Sequence, residues 1–259
     1  MTVKVLPRIN YGSDEFGLTY QEQAKKIRAY MQDEMIQLKS ELETPDYLFP
    51  RIHKNYWYKG PVLEWYVRIK YHLEKKNYAH YDQLIGDRKS ILSIGCGYGY
   101  FELFLHYRSS DREIEAWDFD ASKVELAKQI RDKSIVLNFE YRDVRGAIIP
   151  SKEVYFLLDV LHYLAYEDQF DILQSMVDGM PDHGKIIIRD GLQNRSKKHR
   201  NTNFTEFLSI QVFKFNQSSN DLHFIDESLL TDFVNKNQLK MTKIGHSKNT
   251  SNTLFILTK

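Results

Sequence analysis

Cysteine is almost missing from this chain of 259 residues, whose single thiol is Cys96. One cysteine excludes an intrachain disulfide framework and fits a reducing compartment. Net charge is nearly missing as well. The 36 basic and 35 acidic side chains almost cancel, so no overall field draws in nucleic acid. No apolar run is long enough to cross a bilayer, and no signal-type apolar segment stands at the N-terminus. Internal repeats and low-complexity tracts are absent too. A cytoplasmic soluble protein is therefore expected, with one sizeable core or a core and an added lid. Aromatic residues, by contrast, are plentiful, with 17 Tyr and 15 Phe. They serve as core, and they can equally line a pocket for an apolar or aromatic substrate.

Residues Thr19–Leu42 read as an amphipathic helix, with Ile27, Met31, Met35, Leu38 and Leu42 at helical spacing. Thr19 and Glu22 form a capping box, and Thr44-Pro45 ends the helix. A second helix is predicted from Pro61 through Leu63, Val67, Ile69 and Leu73. Residues 1–85 thus read as a helical N-terminal extension. From Ser90 onward strands and helices alternate. Predicted strands are Ile91–Ile94, Ile114–Phe119, Val136–Tyr141, Val154–Leu158 and Lys185–Arg189. Helices Tyr100–Tyr107, Ser122–Arg131 and Asp168–Gly179 lie between them. This is the pattern of an α/β, Rossmann-like, doubly wound and mostly parallel sheet. Residues 191–222 interrupt it as an insertion. A helix Glu227–Asn237 and two strands, Lys240–Gly245 and Thr253–Leu257, close residues 86–259. The short polar loop between those strands predicts an antiparallel pair.

The chemistry concentrates at Ile91-Leu92-Ser93-Ile94-Gly95-Cys96-Gly97-Tyr98-Gly99, a strand that breaks into alternate glycines before a helix. Such a turn brings the main chain close to a ligand and is expected to leave N–H groups open at the helix start. The dinucleotide fingerprint would need its last glycine one place later, where Tyr100 stands, and no Gly-Lys-Ser/Thr follows for a phosphate loop. The spacing resembles the first motif of class I S-adenosylmethionine-dependent methyltransferases. Further segments in order extend the resemblance over roughly Asp82–Lys259: Glu115–Asp120, Tyr141–Val144, Leu157–Tyr163 and Gly184–Asp190.

The resemblance implies S-adenosyl-L-methionine as cofactor, approached by Gly95, Cys96 and Gly97. Asp118 would accept the ribose hydroxyls, with Phe119 beside it, while Asp120 caps the next helix. Asp143 and the Val144 backbone would bind the adenine amino group. Asp159 belongs to the segment beside the reactive methyl. The family commonly has Asp or Glu where this chain has Ser93. Ser93 can accept a hydrogen bond at the cofactor but carries no charge, so the pairing with the methionyl ammonium comes from elsewhere or the cofactor binds more weakly.

A bacterial group of small-molecule methyltransferases is also similar in Tyr56–Tyr66 and in Arg189-Asp190-Gly191. The first stretch is read either as a lid, with Tyr58 or Lys59 near the methionyl carboxylate, or as a helix-start cluster packed on the sheet. The candidate catalytic residues are His162, Tyr163 and Asp190. His162 suits removal of a hydroxyl proton, or it only packs beside Tyr163 and Leu164. Asp159 and Asp190 end neighbouring strands as a magnesium pair would. Gly191 stands where a further metal ligand is required, and no metal is expected.

The cluster Arg189, Arg195, Lys197, Lys198, His199 and Arg200 is a solvated loop or a seat for an anionic group. The expected acceptor is a small apolar or aromatic molecule, free or tethered to an acyl or aryl carrier protein, with oxygen favoured over carbon. A catalytically silent cofactor-binding scaffold and, less favoured, a nucleic-acid methyltransferase are the rival readings.

Overall fold

Seven strands form one sheet, among residues 20–42, 45–130, 132, 134–192, 222–245 and 252–259 that the computed structural model describes. In chain order they are β1 (Ser90–Ile94), β2 (Glu113–Asp118), β3 (Leu137–Tyr141), β4 (Val154–Leu158), β5 (Lys185–Gly191), β6 (Lys240–Gly245) and β7 (Asn252–Thr258). Their spatial order is β3-β2-β1-β4-β5-β7-β6. Pairings from β3 through β5 are parallel, while β7 runs antiparallel to both β5 and β6. The doubly wound sheet and its reversed C-terminal strand are therefore as the alternation predicted. Thr19 and the basic run 195–200 lie outside the described residues, as does most of the insertion.

The helices are α1 (Tyr20–Leu42), α2 (Pro45–Lys54), α3 (Pro61–Ile85), α4 (Tyr100–Arg108), α5 (Ala121–Lys128), α6 (Tyr166–Gly179) and α7 (Glu227–Lys236). Alternation along the strands sorts the side chains to two faces. Ile91, Ala116, Phe156 and Ile187 pack with Ile52, Tyr71, Tyr78, Tyr81, Phe101 and Phe104 of α2, α3 and α4. Leu92, Trp117, Tyr155, Leu157, Ile186 and Ile188 face Ile172, Leu173, Met176, Leu230 and Phe233 of α6 and α7. Helices α2 and α3 thus share one core with the sheet. Asp120 caps α5 as read, accepting from the Ser122 and Lys123 amides.

The helix α2 is absent from the sequence reading, which takes Pro45 only as a terminator. Pro45 instead opens a helix, where its missing N–H is no loss. Pro50 lies inside α2 and weakens the local signal. Burial overrides it: Leu48 and Ile52, one turn apart, are both within the core. On α1, Met31 and Met35 are exposed, so the predicted stripe is not covered at those positions.

Candidate functional site

The strand order reverses at β1: the chain builds outward through β2 and β3 on one side, then crosses back to place β4 on the other. Open α/β sheets form their ligand crevice at such a reversal, beyond the strand carboxyl ends. A cavity of about 290 Å³ lies there. Its wall brings together Gly95 and Gly97, Asp118 and Phe119, Asp143 and Val144, Asp159, and Tyr163. These positions span four separate segments of the sequence reading.

The turn itself departs from expectation. The Gly95 and Cys96 amides both donate to the Trp117 carbonyl, at 2.8 and 3.0 Å. The Gly97 amide donates to Asp118 Oδ2 at 2.7 Å, and the Gly99 amide to the Cys96 carbonyl. The open amides predicted for this turn are therefore used within the protein, because they lock the turn onto the end of β2. What the glycines supply is space. A Cβ on Gly95 would stand 2.2 Å from Val160 Cγ2, and its φ is +78°. A Cβ on Gly97 (φ +56°) would meet nothing within 4 Å, although the residue lines the cavity. A ligand can approach that backbone more closely than any side chain would allow.

Asp118 is fixed from both sides. Its Oδ2 takes the Gly97 amide and its Oδ1 takes the Asp120 amide at 2.9 Å. Each oxygen retains acceptor capacity toward the cavity, as required to bind a vicinal diol. Asp143 is forked by Arg145, whose Nε and Nη2 both bond its carboxylate. Burial raises the Asp143 pKa, but the hydrogen bond from Arg145 outweighs this and holds it low. Trp117 and Arg142 complete this end, the guanidinium lying 4.4 Å from the indole centroid.

Toward α3 the wall is made by Tyr66, Lys70 and Tyr100. The sequence reading did not assign them, although Tyr66 and Lys70 stand one helical turn apart in a helix it did predict. Asp159 follows β4 with φ +59°, a left-handed conformation costing a non-glycine residue about 1–2 kcal/mol. It is held by its amide on the Arg189 carbonyl, by Asn252 Nδ2 at 2.5 Å and by Arg189 Nη2 at 3.1 Å. Arg189 in turn grips Glu74 of α3 through both guanidinium nitrogens, at 2.5 and 3.0 Å.

His162 sits in the 3-10 turn Leu161–Tyr163. Its Nδ1 lies 2.6 Å from Asp190 Oδ1, and its backbone amide donates to Oδ2 of the same carboxylate. Asp190 is buried and also accepts from the Gly191 amide. The imidazole stands beside Tyr163 and stacks on Phe224. Burial would lower its pKa, but the Asp190 hydrogen bond and charge prevail and raise it. His162 is not part of the cavity wall; its neighbour Tyr163 is.

Asp190 and three more assigned residues are likewise not part of the cavity wall. Ser93 and Cys96 are buried, Ser93 donating to Glu102 Oε1 at 2.5 Å. Tyr58 lies in the 3-10 turn Trp57–Lys59 and donates to the Leu126 carbonyl.

No protein-family profile matches the chain, and no curated protein matches it in sequence. Solved structures do. Human N-acetylserotonin methyltransferase, in complex with SAM, aligns at TM-score 0.55 with 14% identity, covering 76% of this chain and 55% of that one. An O-methyltransferase family protein from Burkholderia thailandensis aligns at 0.52 and 14%, covering 74% and 57%. Magnesium protoporphyrin IX methyltransferase from Synechocystis PCC 6803, with bound SAH, aligns at 0.51 and 10%, covering 77% and 88%. The chain spans little more than half the length of the first two. It has the Rossmann-like fold of the S-adenosylmethionine-dependent methyltransferases.

Proposed function

We propose that this protein is an S-adenosylmethionine-dependent methyltransferase acting on a small molecule, with a hydroxyl oxygen as the methyl acceptor. The observation that carries this reading is the convergence on one crevice of an uncrowded glycine backbone and a carboxylate held by two amides. When bound, S-adenosylmethionine supplies an electrophilic methyl group on a positively charged sulfur.

The residues present suit that group. Asp118 would accept the ribose hydroxyls, Phe119 and Val144 would flank the base, and Asp143 would reach its amino group. Gly97 would let the nucleoside lie against the main chain. Lys70, whose charge also acts on Glu74, stands on the same wall as a partner for a carboxylate. His162 would take the acceptor proton on Nε2, because Asp190 engages Nδ1 and orients the ring. Tyr163 would press the acceptor toward the methyl, where alignment lowers the barrier. The high aromatic content favours an apolar or aromatic acceptor, and a carrier-tethered one remains compatible with it.

Titration calorimetry with S-adenosylmethionine, followed by transfer of labelled methyl to a panel of hydroxyl acceptors, tests the reading. Binding together with transfer that requires His162 supports it. Binding without transfer to any acceptor would leave the silent scaffold, and no binding would remove the cofactor.

A further inference from the structure

Beneath the glycine turn lies an acid that the mechanism above does not use. Glu102, in the first turn of α4, is 1% exposed. Its Oε1 accepts from Ser93, while Oε2 is buried with no hydrogen-bond partner among the described residues. Groups facing it come from every element around it: Ser93 of β1, Cys96 of the turn, Asp118 of β2, Tyr56, Tyr78 of α3 and Tyr100. All are neutral or acidic. Burial pushes the Glu102 carboxyl up to about 7, with the Asp118 charge adding to it and the Ser93 hydroxyl opposing. A buried acid without a counter-charge is a liability to the fold. It acts electrostatically on Asp118, which lines the crevice, and on Cys96 of the turn.

We propose that Glu102, held by Ser93, is the counter-charge for a cationic ligand seated on the turn 95–99, and that the ligand's arrival expels the carboxyl proton. This rests on the S-adenosylmethionine reading, and it answers the absence of an acid at Ser93: the carboxylate comes from α4 instead of β1. The step balances simply. The Glu102 O–H breaks, the proton passes to solvent, and the new carboxylate faces the ligand's ammonium or sulfonium. The dipole at the start of α4 favours the ionised form as well.

The test is calorimetric titration of S-adenosylhomocysteine into the full chain at pH 6, 7 and 8, in phosphate and in Tris. Each result is referenced to E102Q, which cancels the titration of the ligand's amine and of His162. Relative to E102Q, wild-type affinity should rise about tenfold from pH 6 to 8, with roughly half a proton released at pH 7. 5′-Methylthioadenosine, lacking both cations, should release none of this half proton. An additional release with S-adenosylmethionine would assign part of the effect to the sulfonium. If E102Q does not fold, S93A serves: losing the hydroxyl that favours the carboxylate should move the profile to higher pH. Binding whose proton release is the same in wild type and E102Q, or unmoved by S93A, overturns the proposal and leaves the cofactor reading intact. No binding of either cationic ligand overturns both.

Discussion

Asp118 is oriented by backbone amides on either side, so its position does not depend on neighbouring side chains. Asp118→Ala should therefore leave the fold in place while weakening S-adenosylmethionine binding by about 10- to 100-fold, the worth of hydrogen bonds to a charged group. Calorimetry beside a thermal melt checks both halves. His162 answers a different question, because the role proposed for it depends on protonation. A raised pKa keeps the imidazole charged, and inactive as a base, above the ordinary 6.5. Turnover should climb with pH through that region. His162→Ala should lower turnover by roughly 10²- to 10⁴-fold and abolish the limb, with cofactor affinity nearly unchanged. Asp190→Asn should shift the limb toward lower pH, since the partner that raises the pKa is gone. The sequence disclosed both residues by type and by strand-end position. It could not disclose their 2.6 Å contact, which needs β4 and β5 to be paired.

The glycine turn separates folding from binding within three residues. Gly95→Ala must fit a Cβ into Val160 and hold a positive φ, so it should destabilise the fold by several kcal/mol, as overpacking and strain add. Gly97→Ala carries only the strain of about 1–2 kcal/mol. Its methyl projects into open space, so it should fold and lose cofactor affinity instead. Urea melts paired with calorimetry distinguish the two. Helix α2 offers a second contrast, with α1. Ile52 is wholly buried, and Ile52→Ala should cost about 2–5 kcal/mol. Met35→Ala, at an exposed position, should shift stability by about 0.5 kcal/mol or less. Periodicity found α3 and missed α2, because a ten-residue helix carrying two prolines has little local signal. Its core partners come from α3 and α4, not from adjacent sequence.

Across the molecule, Arg189 ties the sheet to the N-terminal helices. Its bidentate hold on Glu74 joins β5 to α3, and a third contact reaches Asp159 at the crevice. Burial alone would raise the Glu74 pKa, but Arg189 and Asn77 lower it. A lowered native value means the stability it confers is present above the unfolded pKa near 4.5 and is lost as pH falls below that. Glu74→Gln should thus cost on the order of 3 kcal/mol at pH 7, with the gap from wild type narrowing in denaturant melts below pH 4.5. The succession of strands and helices, the glycine turn and the acids at strand ends were legible in the chain itself, because alternation, glycine placement and carboxylate position are local properties of a sequence. The Arg189–Glu74 fork, the Lys70 wall and the Glu102 carboxyl behind Ser93 were decided only by tertiary packing. Each joins segments whose separation in sequence carries no trace of their contact, and each depends on burial, which strengthens charges and shifts their protonation once water is gone.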